Sequence, residues 1–230
     1  MTFDPVHSDD NILIIDKPAG LSVLPEGWDQ DAPFLVKILE KEFGKLYVVH
    51  RLDKLTSGVM VLARTPEAHR CLSIQFEKRQ ITKMYHALAL GVPEWREKIT
   101  RYPLLANVGH KHRTIVDPVK GKPSSTQFTV LRGFDQHVLL EALPFTGRTH
   151  QVRVHAYALG FPLLGDPLYG NSSTDLIHRP ALHAISITIK LPSASNWSEN
   201  LQNDQAWSSV TFTSPYPQDF QTAMAALANV

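Results

Sequence analysis

The segment Thr82-Lys83-Met84-Tyr85-His86-Ala87-Leu88-Ala89-Leu90-Gly91 constrains the fold more than any other. Side chains of an extended strand alternate between its two faces. Met84, His86, Leu88 and Leu90 therefore fall on one side, and Lys83, Tyr85, Ala87 and Ala89 on the other. Asn11 to Asp16 reads as a buried strand stopped by Lys17-Pro18 and Gly20. Further strand patterns recur at 47–49, 59–64, 125–131, 136–143, 183–191 and 208–213. Helices are inserted between them. Asp31 can N-cap one that runs through Phe34, Leu35, Ile38, Leu39 and Phe43 to a stop at Gly44. A second opens at Thr65-Pro66 and carries Ala68, Leu72 and Phe76 on one face. A third, Thr149 to Leu159, ends at Gly160-Phe161-Pro162. Strands dominate, without the regular alternation of a doubly wound parallel sheet. The expectation is an α+β fold on a mixed, largely antiparallel sheet.

With 230 residues, no internal repeat and no evident linker, the chain is expected to form one domain over 1–230, its core about 10–190. Cys71 is the single cysteine, which excludes an internal disulfide and points to a reducing compartment. The polar start MTFDPVHSDD is no secretory signal, and no apolar run approaches the length of a membrane span. A soluble cytoplasmic protein is expected. The net charge is only +1, but its distribution is uneven. Between 101 and 155, Arg101, Lys111, Arg113, Lys120, Lys122, Arg132, Arg148 and Arg153 outnumber Asp117, Asp135 and Glu141. After 156 only Arg179 and Lys190 face Asp166, Asp175, Glu199, Asp204 and Asp219. Such asymmetry suits a basic face for a polyanion, and equally a solvated mixed surface.

Between two apolar strands lies His50-Arg51-Leu52-Asp53-Lys54-Leu55-Thr56-Ser57-Gly58. The stretch is not a kinase catalytic loop, because a leucine stands before the aspartate and no glycine-rich phosphate loop accompanies it. Gly121-Lys122 is not a P-loop either, since Val116 and Pro123 occupy required positions. The pairs His150/His155 and His110/His112 lack metal-site spacing, so no metal is expected. A carboxylate in a loop between buried strands is held rigidly, with Arg51 nearby to favour its charged form. Thr56 and Ser57 can cap the loop and Gly58 permits a tight return. Taken alone, the stretch fits a plain Asx-type turn better than a catalytic loop. A second constellation is Pro144 to Gly170, PFTGRTHQVRVHAYALGFPLLGDPLYG. There Thr149, Arg153 and Tyr157 share one helical face while Val152, Ala156 and Leu159 face the core. Arg153, mid-helix near a packing face, needs a partner.

Four ordered segments, DKPAGLSV (16–23), HRLDKLTSG (50–58), KMYHALALG (83–91) and TGRTHQVRVHAYALGFPLLGDPLYG (146–170), resemble the RluA-type pseudouridine synthases. Residues 179–184 and the tail SPYPQDF (214–220) resemble the family more weakly. The resemblance implies isomerisation of uridine in RNA to pseudouridine, with no cofactor. It implies Asp53 as the essential carboxylate, Tyr85 as the tyrosine against the target base, and Arg153 as the arginine that pairs with Asp53. Arg51 is then the candidate to replace a flipped base, and Lys83, Arg148 and Gln151 are candidates for RNA contact. The first motif begins at Asp16, so no N-terminal RNA-binding module is expected, and a compact stem-loop of rRNA or tRNA fits best as partner. A monomer is expected. Two other readings compete: an RNA-binding protein of this fold without catalysis, and a hydrolase, for which Asp16 or Asp166 would have to serve as general acid.

Overall fold

The computed structural model describes residues 3–25, 32–110, 112–170, 174–192, 197 and 207–228. In chain order the elements begin with β1 (His7–Ser8), β2 (Ile12–Lys17), α1 (Leu35–Phe43), β3 (Tyr47–Val48), β4 (Ser57–Ala63), α2 (Pro66–Glu77) and β5 (Thr82–Leu90). There follow β6 (Glu97–Thr100), β7 (Leu104–Val108), β8 (Arg113–Val116), β9 (Thr126–Gly133) and β10 (His137–Pro144). The last are α3 (Gln151–Ala158), β11 (Leu182–Pro192), β12 (Trp207–Thr213) and α4 (Gln218–Ala228). They form two compact units, each built from separated stretches: 1–83 with 184–215, and 84–183 with 216–230. The chain passes between units inside β5, inside β11 and between Pro215 and Tyr216, and the two crossings within strands leave no linker to see in the sequence.

In the first unit the strand order is β1-β2-β4-β11-β12, with β3 also paired to β4. The β1–β2, β2–β4, β3–β4 and β11–β12 pairings are antiparallel. Ile12 to Ile15 and Ser57 to Ala63 are buried on both faces, as expected of apolar runs that do not alternate. Thr65 caps α2 as expected, its hydroxyl accepting the Ala68 N–H at 3.2 Å ahead of Pro66. The start of α1 differs from expectation. Asp31 lies outside the described residues, and the N-cap position belongs to Phe34, whose side chain makes no cap bond. Ala32 precedes Pro33, and a residue before proline is pushed out of the helical region, so the helix starts after both. Its first amides instead donate to the carbonyls of Ser22 (2.8 Å) and Val23 (3.3 Å). Gly44 ends it at φ +74, as expected.

The second unit is an antiparallel sheet in the order β5-β10-β9-β6. The alternation of β5 divides two cores. Ala87 and Ala89 pack with Leu140, Ala142, Val152, Ala156 and Leu163, with Tyr85 against them. Leu88 packs on the other side with Leu164, Phe220, Ala223 and Leu227, with Leu90 against them. The first layer brings α3 onto the sheet and the second brings α4. The helix α4 is also pinned electrostatically, Arg179 donating through Nε (2.6 Å) and Nη2 (3.0 Å) to Asp219. Strands β7 and β8 form a separate hairpin that packs on α3. That contact corrects the expected amphipathicity of α3. Every residue from Gln151 to Ala156 is buried, Arg153 included, because strand β8 packs on the helix and Asp166 and Tyr169 lie against the guanidinium, while Tyr157 stays half exposed.

Candidate active site

The loop carrying Asp53 is held largely through its backbone. The Thr56 N–H donates to the Asp53 carbonyl at 3.0 Å and closes a turn. The Lys54 carbonyl receives the Gly20 N–H at 2.8 Å and the Lys17 ammonium at 3.2 Å. That ammonium, fully buried, also donates to the carbonyls of Pro18 (2.8 Å) and Leu21 (2.9 Å), tying the DKPAG turn to the Asp53 loop. Sequence reasoning gave Lys17 no role, although it ends a buried strand and lies inside the DKPAGLSV segment. Gly58 has φ +119, and a Cβ there would lie 2.3 Å from the Ala184 carbonyl oxygen, so the return into β4 requires glycine. His50 is structural. Its ring stacks on Phe76 at 4.7 Å and its Nε2 accepts the Val61 N–H at 3.1 Å. Burial, with the nearby Lys83 charge, pushes its pKa down to about 3, so the imidazole is neutral at pH 7. In this frame Asp53 is half-buried and Arg51 exposed. Lys83, also half-buried, has its ammonium pKa lowered by burial.

The other predicted site residues, Tyr85, Arg148, Gln151 and Arg153, belong to the second unit. Tyr85 stands opposite Ala142 on β10, partly buried. Arg153 is buried at 3% exposure, with its Nε and Nη2 donating to the two carboxylate oxygens of Asp166 at 2.7 and 2.8 Å. Its guanidinium carbon lies 5.0 Å from the centroid of the Tyr169 ring. The Tyr169 hydroxyl accepts the Thr114 N–H at 2.8 Å and bonds His150 Nδ1 at 2.9 Å. The Asp166 clamp was not foreseen, although GDPLYG lies inside a motif; no sequence spacing joins positions 153 and 166. Asp166 is also no general acid waiting for a substrate, since its carboxylate is committed to this ion pair.

Gln151 does not present its amide outward. Its Oε1 accepts from the Thr146 hydroxyl (2.7 Å) and the Arg148 N–H (3.0 Å). Its Nε2 donates to the Ser125 carbonyl (2.9 Å) and the Thr126 hydroxyl (3.0 Å). Those four bonds shape the Thr146-Gly147-Arg148 turn, and His150 completes it in the left-handed region at φ +55. Arg148 itself is half-buried, its Nη2 directed at the Pro123 carbonyl at 3.5 Å. Among the described residues no cluster of His, Cys, Asp or Glu could hold a metal ion.

The fold is that of solved pseudouridylate synthase domains. The human RNA pseudouridylate synthase domain containing 4 superposes with a TM-score of 0.74 at 25% identity, over 97% of this chain and 92% of that one. The human domain containing 1 superposes with a TM-score of 0.71 at 28% identity, over 97% and 95%. A family model described as RNA pseudouridylate synthase matches residues 11–158. The dual-specificity RNA pseudouridine synthase RluA of Escherichia coli is 34% identical over 193 residues, 83% of this chain and 88% of that protein. The chain belongs to the RNA pseudouridylate synthase family. It is also 34% identical to ribosomal large subunit pseudouridine synthase D of Nitrosomonas europaea and 36% identical to synthase C of Vibrio parahaemolyticus, covering 98% and 84% of this chain. It spans only 65% and 63% of the length of those two relatives.

Proposed function

We propose that this protein isomerises a uridine in structured RNA to pseudouridine, and that Asp53 is its essential carboxylate. The observation that carries the reading is the Asp53 loop: an HRLDKLTSG sequence whose backbone is fixed by Lys17, Gly20, Thr56 and Gly58 before any substrate arrives. Preorganisation of this kind is what a group aimed at developing charge needs. In the reaction the N1–C1′ bond breaks, the uracil turns, and C5 bonds to C1′; the proton leaves C5 and one is gained at N1. A carboxylate at C1′ stabilises or captures oxocarbenium-like charge, as in glycoside cleavage. By resemblance to the family, Tyr85 serves against the turning base and Arg153 serves the carboxylate. The chemistry requires no cofactor.

A paired uridine hides both C1′ and C5, so the base is flipped out, at roughly a few kcal/mol. Exposed Arg51 fills the vacated place, since a guanidinium both stacks and hydrogen-bonds. Lys83 and Arg148 contact phosphates, which orient RNA without reading it. Gln151 contributes by shaping the turn that presents Arg148. A stem-loop of rRNA or tRNA is the substrate, met by a monomer in the cytoplasm; the relative named as a dual-specificity RNA pseudouridine synthase, 88% of whose length this chain covers, supports RNA as the substrate.

The test is carbodiimide-primed reverse-transcription mapping of rRNA and tRNA stem-loops incubated with wild type and with Asp53→Asn. Wild type should form pseudouridine, and Asp53→Asn should form none while binding RNA normally, because shape is kept and charge is lost. Residual turnover within about tenfold of wild type would remove Asp53 from the chemistry. Release of free uracil would make the protein a hydrolase, and unchanged uridine a binder.

A further inference from the structure

Among the described residues of the second unit, Asp166 is a carboxylate engaged from several sides. Besides the two guanidinium bonds, its Oδ1 accepts the N–H groups of Leu168 (2.9 Å) and Tyr169 (3.2 Å). The carboxylate is wholly buried, and the backbone that carries it is itself locked. Gly165 has φ +65, and a Cβ there would lie 2.4 Å from the carbonyl oxygens of both Ile177 and Arg179. One aspartate thus sets the position of the guanidinium from the side and, through the Tyr169 N–H, the ring that covers its face. A two-bond fork defines the plane of a guanidinium as well as its location. Buried ion pairs are weak sources of stability, since well-packed apolar residues of similar volume often do as well. Two charges beneath α3 therefore call for a reason other than stability. Orientation is that reason.

We propose that Asp166 is a positioning residue of the RNA reaction: it fixes the direction in which the Arg153 guanidinium presents its N–H groups. The proposal rests on the reading above in which Arg153 serves the catalytic carboxylate. Because Asp166 balances the charge of Arg153, the pair supplies direction and not net charge. A shift of the fork by one methylene then misplaces the guanidinium while keeping every charge.

The experiment compares wild type, Asp166→Glu, Asp166→Asn, Arg153→Leu and the double variant Arg153→Leu/Asp166→Leu, by single-turnover rate and RNA affinity of the folded protein. Asp166→Glu keeps the ion pair, so it tests the proposal even where Asp166→Asn does not fold. The double variant strands no buried charge. Asp166→Glu should slow the chemical step about 100-fold, the usual cost of an ångström-scale misplacement, with RNA affinity within about threefold of wild type. Loss of Asp166 on top of Arg153→Leu should change the rate less than about threefold, since a residue acting through another has nothing left to act on. Folded Asp166→Glu with the wild-type rate overturns the proposal. So does a loss at 166 that multiplies fully with the loss at 153. A wild-type protein that forms no pseudouridine on any RNA fails the underlying reading and this proposal together; an active wild type with indifferent Asp166 variants fails the proposal alone.

Discussion

The Asp53 loop and the Arg153 helix differ in the restraints described for them. Around Asp53 the restraints described above act on the main chain: Lys17 on three carbonyls, Gly20 on Lys54, Thr56 on Asp53, and a glycine wedged against Ala184. Around Arg153 they act on side chains. Asp166 grips the guanidinium, and the Gln151 amide donates to Thr126, whose hydroxyl donates in turn to His155 Nδ1. The His155 Nε2–H then donates to the Tyr102 carbonyl at 3.0 Å, and burial lowers the pKa of the ring. A side chain carried on a fixed backbone can change its chemistry without disturbing the fold. A side chain that is itself part of the packing cannot.

That contrast is broken or sharpened first by stability. Arg153→Leu leaves the buried Asp166 carboxylate without its partner and should cost about 3–5 kcal/mol. Asp53→Asn, which keeps the side chain's shape in a half-buried loop position, should cost less, about 1 kcal/mol. Urea unfolding measures both, and equal losses would erase the distinction. Next comes the backbone tie itself. Lys17→Met removes the ammonium's bonds to the Pro18, Leu21 and Lys54 carbonyls, of which only the Lys54 one keeps the Gly20 N–H described above. It should cost about 2–3 kcal/mol, with faster hydrogen exchange at the Gly20 and Thr56 amides. Unchanged exchange there would show that the loop is held by something else.

Acid probes the first unit through His50. Its folded pKa of about 3 lies below the unfolded value of 6.5, so the unfolded chain binds the proton first. Stability should fall as pH drops from about 6.5 toward 3, by at most about 1.4 kcal/mol per pH unit from this group. His86, lowered to about 4 by burial and by His183, acts in the same direction within the second unit. His50→Gln should flatten the slope in urea melts between pH 4 and 6 but not abolish it; a slope as steep as wild type would free His50 of this role. The smallest stability effect belongs to Arg51→Ala, within about 0.5 kcal/mol for an exposed residue. Its single-turnover rate should fall on a structured stem-loop and recover in part on a loosened one, whereas Arg153→Leu should not recover. Equal recovery of the two would show their roles reversed or shared.

Much of this was legible before any coordinates. Period-two alternation placed β5 and its two faces, Thr65-Pro66 placed a capped helix, and Gly58 marked a tight return. Each rests on physics that acts within a few residues: pleat geometry, the first unpaired amides of a helix, a positive φ. The HRLD and TGRTHQVRVH motifs marked the candidate site because chemistry at fixed local spacing is written in the chain. What covers a face is not. The period of α3 shows which residues line up, but only the packing of β8, Asp166 and Tyr169 against the helix decides that Arg153 is buried. A guanidinium finds its partner by distance in space, and Asp166, 13 residues away on a different loop, was chosen by how the chain turns at Gly165. Gln151 became a brace for the same reason, and Lys17 a clasp between two loops 37 residues apart. By itself the sequence showed β2 to β5, β9 to β12, α1 to α3 and the family motifs, but not β1, β6 to β8 or α4. Which polar groups meet inside was decided by tertiary structure, because a buried charge or amide must find a partner and only the folded chain determines which one is near.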